Sequence, residues 1–307
     1  MDLSTLFSKY ALFMILIAFG YLMSSKGILT DGFNKGLGRI LILFFVPASV
    51  INSVLGDRPA IGNSQLVTAI ALLFLAVVVC YIIAFIYSRL RSKVKGSSGD
   101  SAVTELLMAV TNNLFIGLPV MTAFFGDASA FYMGLSCIPF NIMLFSYGVW
   151  RLKGGKEKIR IKDVFNSCFI SSLVALLIFA MKIRVPAIVS EIVGPLSSVT
   201  VPMSMLLIGS TMGKSNPFSE LAKGETWIFL FFRLIVSALV VFSIISALSD
   251  NRMIIATCTV LAGCPCGIMV TTLALQYGHD AQYTSKLITS STLVSLVTLP
   301  LLLMILF

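Results

Sequence analysis

Charged side chains are scarce in this chain of 307 residues. Only 11% of its residues are Asp, Glu, Lys or Arg, and 58% are hydrophobic, whereas a soluble domain carries roughly 25% charged residues. An intramembrane hydrolase needs a nucleophile and a base at membrane depth, but the one histidine is predicted at an interface and there is no Gly-x-Ser-x-Gly motif. The composition predicts a protein of the bilayer that is not an enzyme.

Cysteines are few, and all six fall in apolar segments, where they behave as small hydrophobic residues and predict no disulfide framework. Cys264 and Cys266 flank a proline, but no second Cys/His pair is present to complete a tetrahedral metal site. His279 is predicted to lie in a loop. We therefore expect no metal site and no cofactor.

Apolar runs of about 18 to 25 residues, the length of a membrane-spanning helix, occur ten times. The runs lack the alternating polarity of a transmembrane barrel, which leaves helices as the spanning elements. The first run has no basic leader and no cleavage site, so we expect it to be retained. The ten runs fall near residues 6–24, 37–55, 65–90, 102–126, 128–150, 165–183, 189–213, 225–248, 252–276 and 281–306.

Two halves of the chain repeat each other about 155 residues apart. Residues 46–49 (Val-Pro-Ala-Ser) recur as 201–204 (Val-Pro-Met-Ser), and residues 125–128 (Phe-Gly-Asp-Ala) recur as 277–281 (Tyr-Gly-His-Asp-Ala). An odd number of spans separates the copies, so they point in opposite directions, which is typical of secondary transporters. We predict a first repeat at 1–150, a basic cytoplasmic linker at 151–164 and a second repeat at 165–307, with Pro47 and Pro202 as matching hinges.

Basic residues in the predicted loops are unevenly distributed. Of the 22 Lys and Arg residues, 15 fall on one side of the membrane and 5 on the other. The richer side is predicted to be cytoplasmic, which places both termini outside a cell membrane (an inner or plasma membrane). No basic run exceeds a short loop, so the net charge of +9 does not indicate nucleic-acid binding.

The fourth and ninth runs are interrupted at similar depths by residues that disfavour helix. Glycine and proline allow the backbone to leave helical geometry, and free backbone at that depth must line a cavity or be buried in protein. Half-helix N-termini there favour a small anion, although ordinary kinks are the alternative. The interrupting residues are Thr111, Asn112, Asn113, Gly117 and Pro119 in the fourth run and Gly263, Pro265 and Gly267 in the ninth.

Residues 112–119 (Asn-Asn-Leu-Phe-Ile-Gly-Leu-Pro) resemble the fourth-span signature of the auxin efflux carrier family. The resemblance continues through residues 264–268, 276–278, 290–293 and 298–300 and covers essentially the whole chain. It implies ten transmembrane helices in two inverted five-helix repeats, with crossover helices similar to those of bile acid sodium symporters and sodium/proton antiporters. It also implies an elevator-like mechanism.

Family roles transfer to two matching positions. The crossover asparagine falls on Asn112 and the second crossover proline on Pro265. The chain departs from the family at Thr111, which is proline in plant carriers, and at Cys266, where a polar amide is common. The loss of that amide makes a small organic acid a better expectation than indole-acetate.

Other polar residues have a functional and a structural interpretation. Arg233, inside the eighth run, either extends to the cytoplasmic surface or binds an anion. Asn141 either lines the site or packs between helices. Asp127 and Asp280 are better read as helix caps than as coupling carboxylates, and Glu105 as a charge at a helix start.

We therefore expect a carrier of a small organic anion, a carboxylate, in contact with membrane lipid. A coupling proton or sodium ion and a homodimer are left open. A sodium- or proton-coupled cation carrier of the same crossover fold is the alternative, which would need carboxylates at the crossover, and a passive channel is a third. The expected substrate-binding residues are Thr111, Asn112, Asn113, Asn141, Arg233, Pro265, Cys266 and Gly267, with Gly117, Pro119 and Gly263 as further hinges.

Overall fold

The computed structural model describes residues 3–55, 62–93, 100–155, 164–213 and 220–307. Within these residues the chain is helical, apart from loops and one isolated bridge between extended residues. The helices are α1 Leu3–Ser25, α2 Asp31–Asn52, α3 Asn63–Arg91, α4 Ser101–Ala109, α5 Asn113–Phe125, α6 Ser129–Leu152, α7 Ser167–Ala180, α8 Ala187–Met212, α9 Gly224–Leu248, α10 Arg252–Gly263, α11 Met269–Gln276 and α12 Ala281–Leu306.

Six of these helices, within the described ranges, are long and apolar enough to cross a membrane: α2, α3, α6, α8, α9 and α12. Shorter apolar helices occur at Ala11–Ser25, Asn113–Phe125, Ser167–Ala180 and Arg252–Gly263. The prediction of an all-helical, multi-pass membrane protein is confirmed. The arrangement of ten spans in two inverted repeats stays a prediction.

Four of the helices contain a π-helical turn, in which an extra residue widens the hydrogen-bond ring. The turns are Leu41–Phe45 in α2, Asn113–Gly117 in α5, Leu144–Gly148 in α6 and Phe231–Val236 in α9. In α2 and α5 a proline, Pro47 or Pro119, is the second residue after the turn. Pro202, by contrast, lies inside the uninterrupted helix α8.

The chain divides into two compact units. The first unit comprises Met1–Ala69, Leu114–Ile138 and Phe165–Ser215, and the second comprises Ile70–Asn113, Pro139–Val164 and Asn216–Phe307. Each unit takes segments from both predicted repeats. The compact units therefore do not coincide with the predicted repeats, and the division at 151–164 stays a prediction. Residues 156–163 of that linker lie outside the described residues.

In the first unit, α1 and α8 approach so closely that no side chain fits between their backbones. A Cβ atom added to Gly209 would overlap the carbonyl group of Ile17, and one added to Gly20 would overlap that of Leu206. Small residues at such contacts allow helices in membranes to pack through their backbones. Gly20 and Gly209 are therefore required by packing.

In the second unit, α9 packs against α10 and α12. A thiol contact of 3.8 Å from Cys258 on α10 to the carbonyl oxygen of Leu72 connects α10 with α3. Helix α12 also packs against α4.

Candidate functional site

Helices α4 and α10 both end inside the second unit and continue as extended chain. After Ala109 the backbone of Val110 has ψ of 123°, and after Gly263 that of Cys264 has ψ of 152°. Pro265 explains the second change because the residue before a proline is driven out of helical geometry. The first change occurs before two asparagines, whose side chains compete for backbone hydrogen bonds.

The two extended segments pair with each other in antiparallel orientation. The N–H of Asn112 donates to the carbonyl oxygen of Pro265 and the N–H of Gly267 donates to that of Val110, both at 2.8 Å. Backbone groups at membrane depth need partners, and this pairing provides them. We call Val110–Asn112 together with Cys264–Gly267 the crossover.

The two segments are so close that a side chain at Gly267 would crowd them. A Cβ atom at this position would lie 3.0 Å from the carbonyl oxygen of Thr111 and 3.0 Å from the Val110 side chain. Gly263 is similarly confined, because its Cβ would lie 3.0 Å from the Leu299 side chain. The glycines selected from the sequence as breaks therefore also serve the packing of the crossover.

Thr111 and Cys266, which form the bridge at the crossover, are separated by 155 positions, the spacing of the sequence repeat. The first unit contains a second contact of this kind, in which the Thr200 hydroxyl donates to the carbonyl oxygen of Phe45 at 2.8 Å. A contact between equivalent positions of two copies is expected near an axis that exchanges them. Both contacts are consistent with the repeat.

Arg233 lies in the π-helical turn Phe231–Val236 of α9 and is completely buried. Its Nη1 donates at 2.7 Å to the carbonyl oxygen of Ala262, in the last turn of α10. A cation at this position complements the partial negative charge of a helix C-terminus. Since the side chain points into the unit, the interpretation that it extends to the surface is wrong.

Two nitrogens of Arg233 have no strong hydrogen-bond acceptor in the described part of the chain, although the Cys266 thiol makes a weak hydrogen bond to the guanidinium. Nε and Nη2 are buried and have no hydrogen-bond partner there, and no ion pair joins the guanidinium to a carboxylate of those residues. Burying an unpaired charge is costly. Two aligned donors of a buried cation are thus available for an anion.

Two polar groups of the crossover are also buried in this unit. The hydroxyl of Thr111 is buried and has no partner within the described ranges, while the N–H of Cys266 donates to the Ser291 hydroxyl at 3.2 Å. The thiols of Cys80, Cys264 and Cys266 lie within electrostatic range of the guanidinium. The neighbourhood offers hydrogen-bond donors and soft, polarisable groups, which suits an anion.

The second unit contains all eight residues predicted to bind substrate and one of the predicted hinges, Gly263. Asn112, Asn113 and Asn141 are all buried. The members in this unit are Thr111, Asn112, Asn113, Asn141, Arg233, Gly263, Pro265, Cys266 and Gly267, whereas Gly117, Pro119, Pro47 and Pro202 belong to the first unit.

Glu105 is a residue whose role the sequence analysis missed. It is fully buried and accepts hydrogen bonds from the Tyr147 hydroxyl at 2.5 Å, from Arg151 Nε at 3.0 Å and from the Ser88 hydroxyl at 3.2 Å. The helix-start interpretation of Glu105 is wrong, because α4 is capped by Asp100. The sequence signal for this role was an acidic residue inside an apolar run. Its two partners, Tyr147 and Arg151, lie four positions apart at the end of the next run, and therefore on one face of a helix.

Of the two predicted caps, Asp280 is confirmed, since its carboxylate accepts the N–H of Tyr283 at 2.9 Å at the start of α12. Asp127 instead lies on the wall of a cavity of about 610 Å³ in the first unit. Hydroxyl and amide groups of Ser49, Asn52 and Thr122 share that wall, and no basic side chain is among the described residues that line it. An anion would find no counter-charge in this cavity.

Comparison with known proteins finds similarity to transporters. A sequence model of a family described as "Membrane transport protein" matches residues 6–303. An uncharacterized transporter of Methanothermobacter thermautotrophicus is 25% identical over 94% of both chains. An uncharacterized transporter of Methanocaldococcus jannaschii is also 25% identical, again over 94% of each chain.

Proposed function

Because the chain belongs to the membrane transport protein family, which confirms its resemblance to auxin efflux carriers, we propose that it is a secondary transporter whose substrate is a small organic carboxylate. The substrate binds at the crossover and crosses by the elevator-like alternating access that the resemblance implies. The protein works in a cell membrane with both termini outside.

The buried Arg233 is the observation that supports a carboxylate. Nη1 donates to the carbonyl oxygen of Ala262, and the two nitrogens without a partner in the geometry of the described residues, Nε and Nη2, form one edge of the planar guanidinium. Two parallel N–H donors on one edge match the two oxygens of a carboxylate, and such bidentate pairs are among the strongest charge-assisted hydrogen bonds. A carboxylate would also neutralise the buried charge.

Crossover residues complete the proposed site. The Thr111 hydroxyl is an unused group that suits a second polar atom of the substrate, and the amide of Asn112 provides both a donor and an acceptor. Pro265, Cys266 and Gly267 hold the backbone in its extended form. Asn113 and Asn141 are assigned to the walls of the site.

The alternative of a cation carrier needs negative charge at the crossover. A guanidinium contacts the last turn of α10, and its positive charge would repel a sodium ion. The described residues also hold no group of three or more metal-binding side chains. These observations favour the anion proposal.

Thermal stabilisation of the detergent-purified protein tests the proposal, because a ligand that binds the folded state stabilises it by about 2.7 kcal/mol at 100 times its Kd. A panel of mono- and dicarboxylates, indole-acetate and sodium should contain a carboxylate that raises the midpoint. Arg233→Lys keeps the charge but loses the bidentate edge, so it should raise the Kd of this carboxylate at least tenfold. Asn112→Ala should also raise the Kd, without loss of folded protein.

Arg89→Gln is the matched control, since this arginine lies over the Phe85 ring at the end of α3, and it should respond as the wild type does. Reconstituted vesicles should then show saturable uptake and counterflow, which a channel would not show. Stabilisation by sodium alone, or unchanged carboxylate affinity in Arg233→Lys and Asn112→Ala, would refute the proposal.

A further inference from the structure

Helices α3 and α9 form an apolar groove of about 450 Å³ on the second unit. Its walls are aliphatic and aromatic, and Ile86 and Ile228 remain 51% and 57% exposed. The apolar lining residues are Ile83, Ile86, Leu90, Ile228, Phe232 and Val236. In a membrane such a groove faces acyl chains.

The length of the groove matches one leaflet of a bilayer. It extends from Arg91 to Ile83 along α3 and from Glu225 to Val236 along α9, which is about 12 Å and 17 Å at 1.5 Å per residue. Half of the hydrocarbon core of a bilayer is about 15 Å. A single acyl chain of the leaflet at the predicted cytoplasmic side has the length that the groove accepts.

One end of the groove is charged and continues into a small polar recess. Arg91 donates to Glu225 at 3.2 Å and to the Tyr283 hydroxyl at 2.9 Å, and both Arg91 and Glu225 also line the recess. Around the recess, Glu220 is 2.8 Å from the amino group of Lys223 and 3.9 Å from that of Lys286.

The five charged side chains at this end leave one positive charge in excess, since three cations (Arg91, Lys223 and Lys286) pair with two carboxylates (Glu220 and Glu225). A lipid phosphodiester with an otherwise neutral headgroup has a single negative charge and would balance it. Basic pockets between helices at this depth are typical sites for anionic headgroups. A zwitterionic headgroup would leave the excess charge uncompensated.

We propose that the groove is a binding site for one anionic phospholipid, with an acyl chain between α3 and α9 and the phosphate at Arg91 and Lys223. Phe232 and Val236, which line the groove, belong to the same π-helical turn as Arg233. The bound chain would therefore pack against the outer side of the turn that places the buried guanidinium. Lipid binding itself does not depend on the proposed transport.

Delipidated protein incubated with phosphatidylglycerol or phosphatidylcholine tests this site by native mass spectrometry and by thermal stability. Phosphatidylglycerol should be retained and should raise the midpoint more than phosphatidylcholine. Ile228→Trp, which fills the groove, should reduce retention of phosphatidylglycerol at least threefold. The pair Lys223→Gln with Lys286→Gln should weaken the preference for phosphatidylglycerol about tenfold.

Matched controls lie outside the groove. Val67→Trp adds the same ring to an exposed position at the other end of α3, where the side chain is 70% exposed, and Lys26→Gln with Lys35→Gln removes two exposed lysines of the first unit. Both should retain phosphatidylglycerol as the wild type does. Equal retention of the two lipids by the wild type, or unchanged retention in Ile228→Trp, would overturn the proposal.

Discussion

At the scale of single residues, two buried charges of the second unit contrast with each other. Glu105 has hydrogen bonds from three side chains, including a guanidinium, and is a satisfied structural group. Among the described residues, the guanidinium of Arg233 has one oxygen acceptor, a backbone carbonyl, and no carboxylate. A charge that the fold leaves unsatisfied marks a functional site more clearly than one that it pairs.

The Glu105–Arg151 pair gives a prediction about which partner matters more. Arg151→Gln leaves a carboxylate with no exposed surface, whereas Glu105→Gln leaves a guanidinium whose side chain is 25% exposed and can reach water. We expect Arg151→Gln to cost about 3 kcal/mol and Glu105→Gln clearly less, measured as the loss of apparent thermal stability in detergent.

The double variant provides the control for this pair. If the cost of Arg151→Gln arises from the stranded carboxylate, then Glu105→Gln introduced together with it should restore part of the stability. Additive losses, or a greater cost for Glu105→Gln alone, would show that the ion pair is not the cause.

At the scale of helices, glycine and proline act in different ways in the two units. In the crossover they end α4 and α10 and allow two extended segments to pair. In the first unit Gly20 and Gly209 lie inside continuous helices and allow α1 and α8 to touch. The sequence signal is similar, and only the neighbours distinguish a break from a close contact.

Gly209→Ala is therefore expected to damage the first unit. Its methyl group would overlap the carbonyl group of Ile17, and overpacking of this kind costs about 1–3 kcal/mol, visible as a lower melting midpoint and less monodisperse protein. Gly36→Ala in α2 is the control, since nothing lies within 4 Å of its added Cβ and alanine favours the helix by up to about 1 kcal/mol. Equal effects of the two variants would contradict the packing argument.

At the scale of the whole molecule, the repeat makes the strongest prediction. Two halves with five spans each place the linker at 151–164 on one side of the membrane and both termini on the other. The basic residues assign the linker to the cytoplasm. Contacts at the repeat spacing, between Thr111 and Cys266 and between Phe45 and Thr200, agree with this arrangement.

Reporter fusions in a bacterial host measure this topology directly. A fluorescent protein fused after Gly155 should fold in the cytoplasm and fluoresce, whereas alkaline phosphatase fused after Phe307 should be active outside. If both fusion points report the same side, the second half has an even number of spans, and the inverted repeat is excluded.

The sequence by itself determined the class of the protein, the positions of the helix breaks and the family. These follow from local chemistry: apolar runs of membrane length, the backbone effects of Gly263, Pro265 and Gly267, and motifs that are contiguous in the chain. A proline between two glycines, as in residues 263–267, disfavours a helix locally and is readable before folding, whereas the single Pro202 is accommodated inside α8.

Only the tertiary structure decided what each buried polar side chain does. Glu105 and Arg233 are both charges in apolar runs, yet one is paired and the other has a free donor edge. That difference depends on Arg151 and Ala262, which are 46 and 29 positions away in the chain. The energy of a buried charge is set by its neighbours in space, and no sequence pattern specifies which side chains those are.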